Sequence, residues 1–131
     1  MNKKLEEIIA KSTFSVKKGQ YIYAKVSADL NLDDCFMISR DSDEITAVFE
    51  ESKLDRFEII ERNKDLYKLI ELKVSVPFYA VGFLAAVTTS LSSKDVNSLV
   101  VSTYSKDYIL VRVEQLDLAV SAFTELGLKK N

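Results

Sequence analysis

The sequence of 131 residues contains no histidine and no tryptophan, and only one cysteine and one proline. Without an imidazole, Ser-His-Asp and Cys-His nucleophile activation and the common histidine-containing zinc sites are excluded. Cys35, standing alone, can build neither a disulfide within one chain nor a CxxC metal site. A basic surplus is missing too: 18 Lys and Arg stand against 20 Asp and Glu, a net charge of −2. The basic residues are scattered, so nothing marks a nucleic-acid or anionic-membrane partner. No run reaches the roughly 18 apolar residues of a membrane span, and the opening MNKKLEEIIAKSTF, charged at both ends, does not read as a signal peptide. The expectation is a soluble, cytoplasmic protein with no cofactor, no metal, no membrane and no nucleic-acid partner. Its chemistry has to come from carboxylate, lysine, tyrosine and backbone.

What is present is an ordinary globular composition, 47% hydrophobic and 29% charged, which excludes disorder and collagen. A chain of this length buries roughly two-thirds of its unfolded surface, enough for an independent core. Over 67–76, Ile70, Leu72, Val74 and Val76 alternate with polar residues, the period of a half-buried strand, and Pro77 ends it. Ala80, Leu84, Val87 and Leu91 then recur at helical spacing, which predicts a two-faced helix over 81–94. Strands follow over 98–104 (SLVVSTY) and 108–113 (YILVRV), joined by the short turn 105–107. A second helix starts near 114 and presents Leu116, Ala119, Val120, Phe123 and Leu126, with Gly127 placed to stop it.

One-sided strands and one apolar stripe per helix place both helices on the same face of a mainly antiparallel sheet. With a right-handed crossover through the first helix, this is the α+β, ferredoxin-like βαββαβ order without an obvious final strand, since 128–131 is too short for one. The first half reads as a reduced copy. A helix over 3–11 precedes a strand over 20–26, room for one helical turn at 29–34, a hairpin of 35–39 with 44–49, a short helix over 51–56 and a strand over 57–61. Arg62-Asn63-Lys64-Asp65 is the polar run between the halves, so the expectation is two tandem modules, 1–64 and 65–131, in one compact unit.

The stretch KLIELKVSVPFYAVGFLAAVTTSLSSKDVNSLVVSTYSKDYILVRVEQLDLAVSAF resembles the ACT domain, in particular small stand-alone proteins similar to the paired regulatory ACT domains of aspartate kinases. Pro77, Val81, Gly82, Leu84, Ala85, Leu91, Ser102, Thr103, Tyr104 and the run Asp107, Tyr108, Ile109, Leu110, Val111 carry the resemblance. GQYIYAKV and FMISRDSDEITAVFEE in the first half are similar to the same group. The resemblance implies tandem ACT-like modules that bind a small ligand, usually an amino acid, and dimerise by sheet extension. It implies a ligand site between the loop after the first strand and a neighbouring module, and a non-enzymatic sensor or regulator. A separate protein partner would then receive the signal, unless the protein is an interaction module without a ligand.

The junction Val76, Pro77, Phe78, Tyr79, Ala80, Val81, Gly82 joins a strand to a helix start, where unpaired amides and roughly half a positive charge attract a carboxylate. Gly82 lets a ligand or another backbone come close, at up to about 1 kcal/mol of helix stability. A ligand carboxylate would sit near Ala80, Val81 and Gly82, and its ammonium on backbone carbonyls or Asp107. Ser102 and Thr103 would offer hydroxyls. The alternative is structural: Pro77 ends the strand, Gly82 relieves helix–sheet crowding, and Asp107 fixes the turn by accepting from backbone amides. Asp41, Asp43 and Glu44 do not make a calcium loop, since a loop starting at Asp41 would place Thr46 where Gly is needed and Ser52 where Glu is needed. Asp33 and Asp34 lack a shielded partner for acid–base work. Cys35 reads as a small buried hydrophobe at the start of CFMI. Tyr21 and Tyr23 share a strand face suited equally to an interface, to the core or to the space between the two modules, and exposed sheet edges favour a homodimer.

Overall fold

The computed structural model describes residues 1–76 and 79–131, so Pro77 and Phe78 lie outside the described residues. In chain order the elements are α1 (Lys3–Ala10), β1 (Thr13–Val16), β2 (Tyr21–Val26), β3 (Met37–Arg40), β4 (Ile45–Glu50), β5 (Ile59–Arg62), β6 (Tyr67–Lys73), α2 (Phe83–Ser92), β7 (Ser98–Ser102), β8 (Asp107–Arg112), α3 (Leu116–Leu126) and β9 (Lys129–Lys130). Short 3-10 turns stand at Leu32–Asp34, Glu51–Arg56 and Val113–Gln115. The chain forms two compact units, one of Met1–Lys17 with Leu69–Asn131 and one of Lys18–Lys68.

In the larger unit the strands pair in the order β7-β8-β6-β1-β9. β1 runs antiparallel to β6 with Phe14 opposite Leu72, β9 runs parallel to β1, and β7 and β8 form an antiparallel hairpin closed by Ser102 opposite Asp107. Alternation turns Ile70 and Leu72 of β6 and Ile109 and Val111 of β8 to one face. There they share a core with Phe83, Val87 and Leu91 of α2, Ala119, Ala122 and Phe123 of α3, and Leu5, Ile8 and Ile9 of α1. Phe14 and Phe123 are both fully buried and meet edge to face, with ring centroids 5.4 Å apart. This is the ferredoxin-like arrangement expected from the sequence, with helices on one face of a mainly antiparallel sheet.

Two differences from the sequence reading have physical reasons. The place beside β6 that a final strand would take is filled by β1, with β9 on its outer side. TFSV is too short for its alternation to be recognised. Helix α1 and β1, placed in the first module by chain order, pack with residues 69–131, because Leu5, Ile8, Ile9 and Phe14 bury their apolar surface in that core. Asn2 caps α1 by accepting from the Leu5 amide at 2.8 Å.

The smaller unit carries β3-β4-β2 with β5 on the other side of β2, all antiparallel. Ile22, Ala24, Val26, Ala47 and Phe49 form its core, and Phe57 stacks on Phe49 at 3.9 Å. Two of its connections carry 3-10 turns, Leu32–Asp34 and Glu51–Arg56. Cys35 caps the Leu32–Asp34 turn and precedes β3, so it is half-buried and not part of the strand. Among the described residues, no helix is long and apolar enough to cross a membrane.

Candidate ligand-binding cavity

The larger unit encloses an open cavity of about 430 Å³ between the start of α2 and the β7–β8 turn. Small-molecule sites run from roughly 300 to 1,000 Å³. Val74, Val76, Ala80, Gly82, Phe83, Leu84 and Ala85 form one side, and residues 102–107 the other. The sequence-derived candidates Val76, Ala80, Gly82, Ser102, Thr103 and Asp107 therefore meet around one space. Val81 does not line it and is 89% exposed. Pro77 and Phe78 fall outside the described residues.

The strand side of the cavity is held by Ser12, which is fully buried. Its hydroxyl donates to the Ile8 carbonyl at 2.6 Å and accepts from the Ser75 amide at 2.9 Å, while the Ser75 hydroxyl also donates to Ile8 at 3.0 Å. This pins the end of α1 to the segment that leads into Val76.

On the helix side, α2 begins at Phe83, two residues later than its periodicity predicts. Gly82 is its N-cap with φ +86°, a left-handed conformation that cannot continue a helix and that glycine adopts without a Cβ penalty. Among the described residues, no side chain caps this end. The Val81 amide donates to the Tyr79 carbonyl at 3.1 Å, Phe83 to Ala80 at 3.1 Å, and Ala86 to Gly82 at 2.9 Å. Among the described residues, the Leu84 and Ala85 amides have no protein acceptor. Both residues line the cavity.

The opposite wall is a closed turn. The Thr103 amide donates to the Lys106 carbonyl at 2.8 Å and its hydroxyl to the same oxygen at 3.2 Å. Ser102 donates to Asp107 Oδ1 at 2.6 Å. Both hydroxyl protons are thus used inside the turn, and Asp107 holds the turn through a side chain, not through backbone amides. Asp107 Oδ2 remains to accept.

Behind this turn lies a cluster that the sequence reading missed. Glu71, on the β6 face away from the core, binds the Lys106 ammonium and the Tyr108 hydroxyl (3.3 Å) through Oε1, and Lys17 (3.0 Å) and Ser15 (3.1 Å) through Oε2. The Lys106 hydrogen bond, helped by Lys17 and Ser15, holds the Glu71 carboxyl down at about 2 despite its burial. The same bond to Glu71 raises Lys106. Tyr108 is raised by burial and then by the Glu71 charge.

The remaining candidates are local structure. Asp41 Oδ1 accepts from the Asp43 and Glu44 amides at 2.8 and 2.9 Å, which holds it below the usual carboxylate range and makes it the cap of an exposed hairpin turn. Burial and then Asp34 push the Cys35 thiol up, away from reactivity. Among the described residues, no group of three His, Cys, Asp or Glu is placed to hold a metal ion.

A solved protein of unknown function from Vibrio cholerae, described as a possible transport protein, is 26% identical with a TM-score of 0.80, covering 95% of this chain and 97% of that one. The regulatory subunit of aspartate kinase from Thermus flavus shares the fold at 9% identity and TM-score 0.64, over 87% of this chain and 96% of its own. Aspartate kinase from Clostridium acetobutylicum does so at 17% identity and TM-score 0.65, over 87% of this chain but 34% of the enzyme. No curated protein matches the sequence. The family model for the ACT domain matches residues 64–125, which hold β6, α2, β7, β8 and nearly all of α3. This stretch, with the cavity between its first helix and its hairpin turn, is what matches the ACT-domain family.

Proposed function

We propose that the chain is a non-enzymatic cytoplasmic regulator or sensor that binds an amino acid or a similar small carboxylate in the cavity of its ACT domain. The carrying observation is that the cavity sets unpaired helix amides, at Leu84 and Ala85, across from the carboxylate of Asp107. The ligand carboxylate lies against the amides, where the helix dipole favours it. Its ammonium lies on Asp107. Val76, Ala80 and Gly82 form the wall on the strand–helix side, and Ser102 and Thr103 shape the other. Fold likeness to the regulatory subunit of an aspartate kinase supports a regulatory role. Strand β7 pairs only with β8 among the described strands and leaves Val100 43% exposed, which supports a homodimer formed by sheet extension.

Thermal denaturation against a panel of amino acids tests this reading. A ligand at a hundred times its dissociation constant adds about 2.7 kcal/mol of stability, and Asp107→Asn, which keeps a partner for Ser102, should remove most of the effect. A second reading, an interaction module without a ligand, draws on Tyr79, Val81 and Tyr104, which are 75%, 89% and 84% exposed. No shift with any amino acid would favour it.

A further inference from the structure

Among the described residues lining the cavity, Lys106 is the one cation and Asp107 the one carboxylate. Lys106 is already committed. Its ammonium binds Glu71 Oε1, on a side chain 12% exposed, and Tyr108 donates to the same oxygen. Lys17 and Ser15 occupy Oε2, so each lysine has a carboxylate oxygen and neither displaces the other.

We propose that Glu71 sets the ligand class of the cavity: by pairing with Lys106 it neutralises the one cation among the described lining residues, and the site then takes an amino acid with an uncharged, apolar side chain. The inference rests on the amino-acid reading given above. An acidic side chain would enter a space whose cation is engaged elsewhere, and a charge removed from water without a partner is strongly disfavoured. A basic side chain would compete with the ligand's own ammonium for Asp107, one oxygen of which already accepts from Ser102. Val74 and Phe83, 8% and 2% exposed, with Leu84 and Ala85, offer an apolar surface instead. Glu71 is a positioning residue in this scheme, since it acts through Lys106.

Calorimetric titration of the full chain with leucine, valine, aspartate, glutamate, lysine and arginine tests the proposal. The wild type should bind leucine or valine at least ten times more tightly than any of the charged four. Glu71→Gln should free Lys106 and raise affinity for aspartate or glutamate at least tenfold, and adding Lys106→Met should abolish that gain. Where the glutamine variant does not fold by circular dichroism, Glu71→Asp serves. It keeps the charge but draws the carboxylate back by one methylene, which weakens its hold on Lys106. A wild type that binds a charged amino acid best would overturn the class assignment while leaving the site standing. A folded Glu71 variant with unchanged preference would overturn the role of Glu71. If none of the six binds the wild type, the amino-acid reading falls, and this inference with it.

Discussion

Lys106, in the turn that walls the cavity, gives its ammonium to Glu71, near the middle of β6. The pair ties a surface turn to a central strand of the larger unit's sheet. It also makes the fold sensitive to acid, because Glu71 sits at about 2, against 4.5 for the same group unperturbed.

The sign follows from proton binding. Between those two values the unfolded chain binds a proton at Glu71 and the folded chain does not, so stability rises with pH across the window. Acidifying from about pH 4.5 to about pH 2 should therefore cost the wild type at most about 3 kcal/mol through this group. Denaturant unfolding across that range should show the fall, and a smaller one in Glu71→Gln. Parallel curves for the two proteins would refute the assignment.

Gly82 is the second test, because its φ of +86° is a backbone requirement and not a packing preference. An added Cβ would meet Leu5 Cδ2 at 3.3 Å, so the Leu5 side chain must also shift. Gly82→Ala should destabilise the protein by about 1–2 kcal/mol, read as a lower denaturation midpoint. An unchanged midpoint would mean that the left-handed cap is dispensable.

How far the fold is legible in the sequence depends on the length and range of each signal. Ile70, Leu72, Val74 on a strand and Val87, Leu91 on a helix repeat over enough residues to declare their period, so the order from β6 to α3 can be read. Thr13–Val16 is four residues long and Lys129–Lys130 two, too short to declare theirs. The cavity is half legible: a strand–helix junction with Gly82 and a hairpin ending at Asp107 both stand out, but only the folded crossover brings them together. Glu71 is not legible. It occupies a polar position of an alternating strand, where solvent is the default neighbour, and its partners Ser15 and Tyr108 lie 56 and 37 residues away.

Ser12 carries the same lesson, and a third prediction. Small and polar between α1 and β1, it carries no sequence signal, yet its buried hydroxyl satisfies both the Ile8 carbonyl and the Ser75 amide. Ser12→Ala removes both bonds of a fully buried hydroxyl and takes the acceptor from the part-buried Ser75 amide, a loss of about 0.5–1.5 kcal/mol. Equilibrium denaturation measures it. A change under about 0.5 kcal/mol, the range of ordinary surface substitutions, would show that Ser75 finds another partner.

The last prediction concerns which parts of the chain fold together. A fragment of residues 65–131 contains all but the first residue of the ACT match but lacks Leu5, Ile8, Ile9 and Phe14, four side chains of the shared core. It also lacks β1, leaving β6 with an open edge and β9 with no strand to join. Burying a large apolar side chain is worth about 1.5–3 kcal/mol, so losing four removes more than the 5–15 kcal/mol margin of a small domain easily spares. This fragment should show poor chemical-shift dispersion and no cooperative melt. A permuted chain, residues 69–131 joined through a short Gly/Ser linker to 1–17, restores every one of those contacts and should melt cooperatively. The Asn131 amide donates to the Phe14 carbonyl at 2.8 Å, which holds the C-terminus against β1. Cooperative folding of 65–131 alone would show that the N-terminal helix and strand decorate the ACT domain and do not complete it.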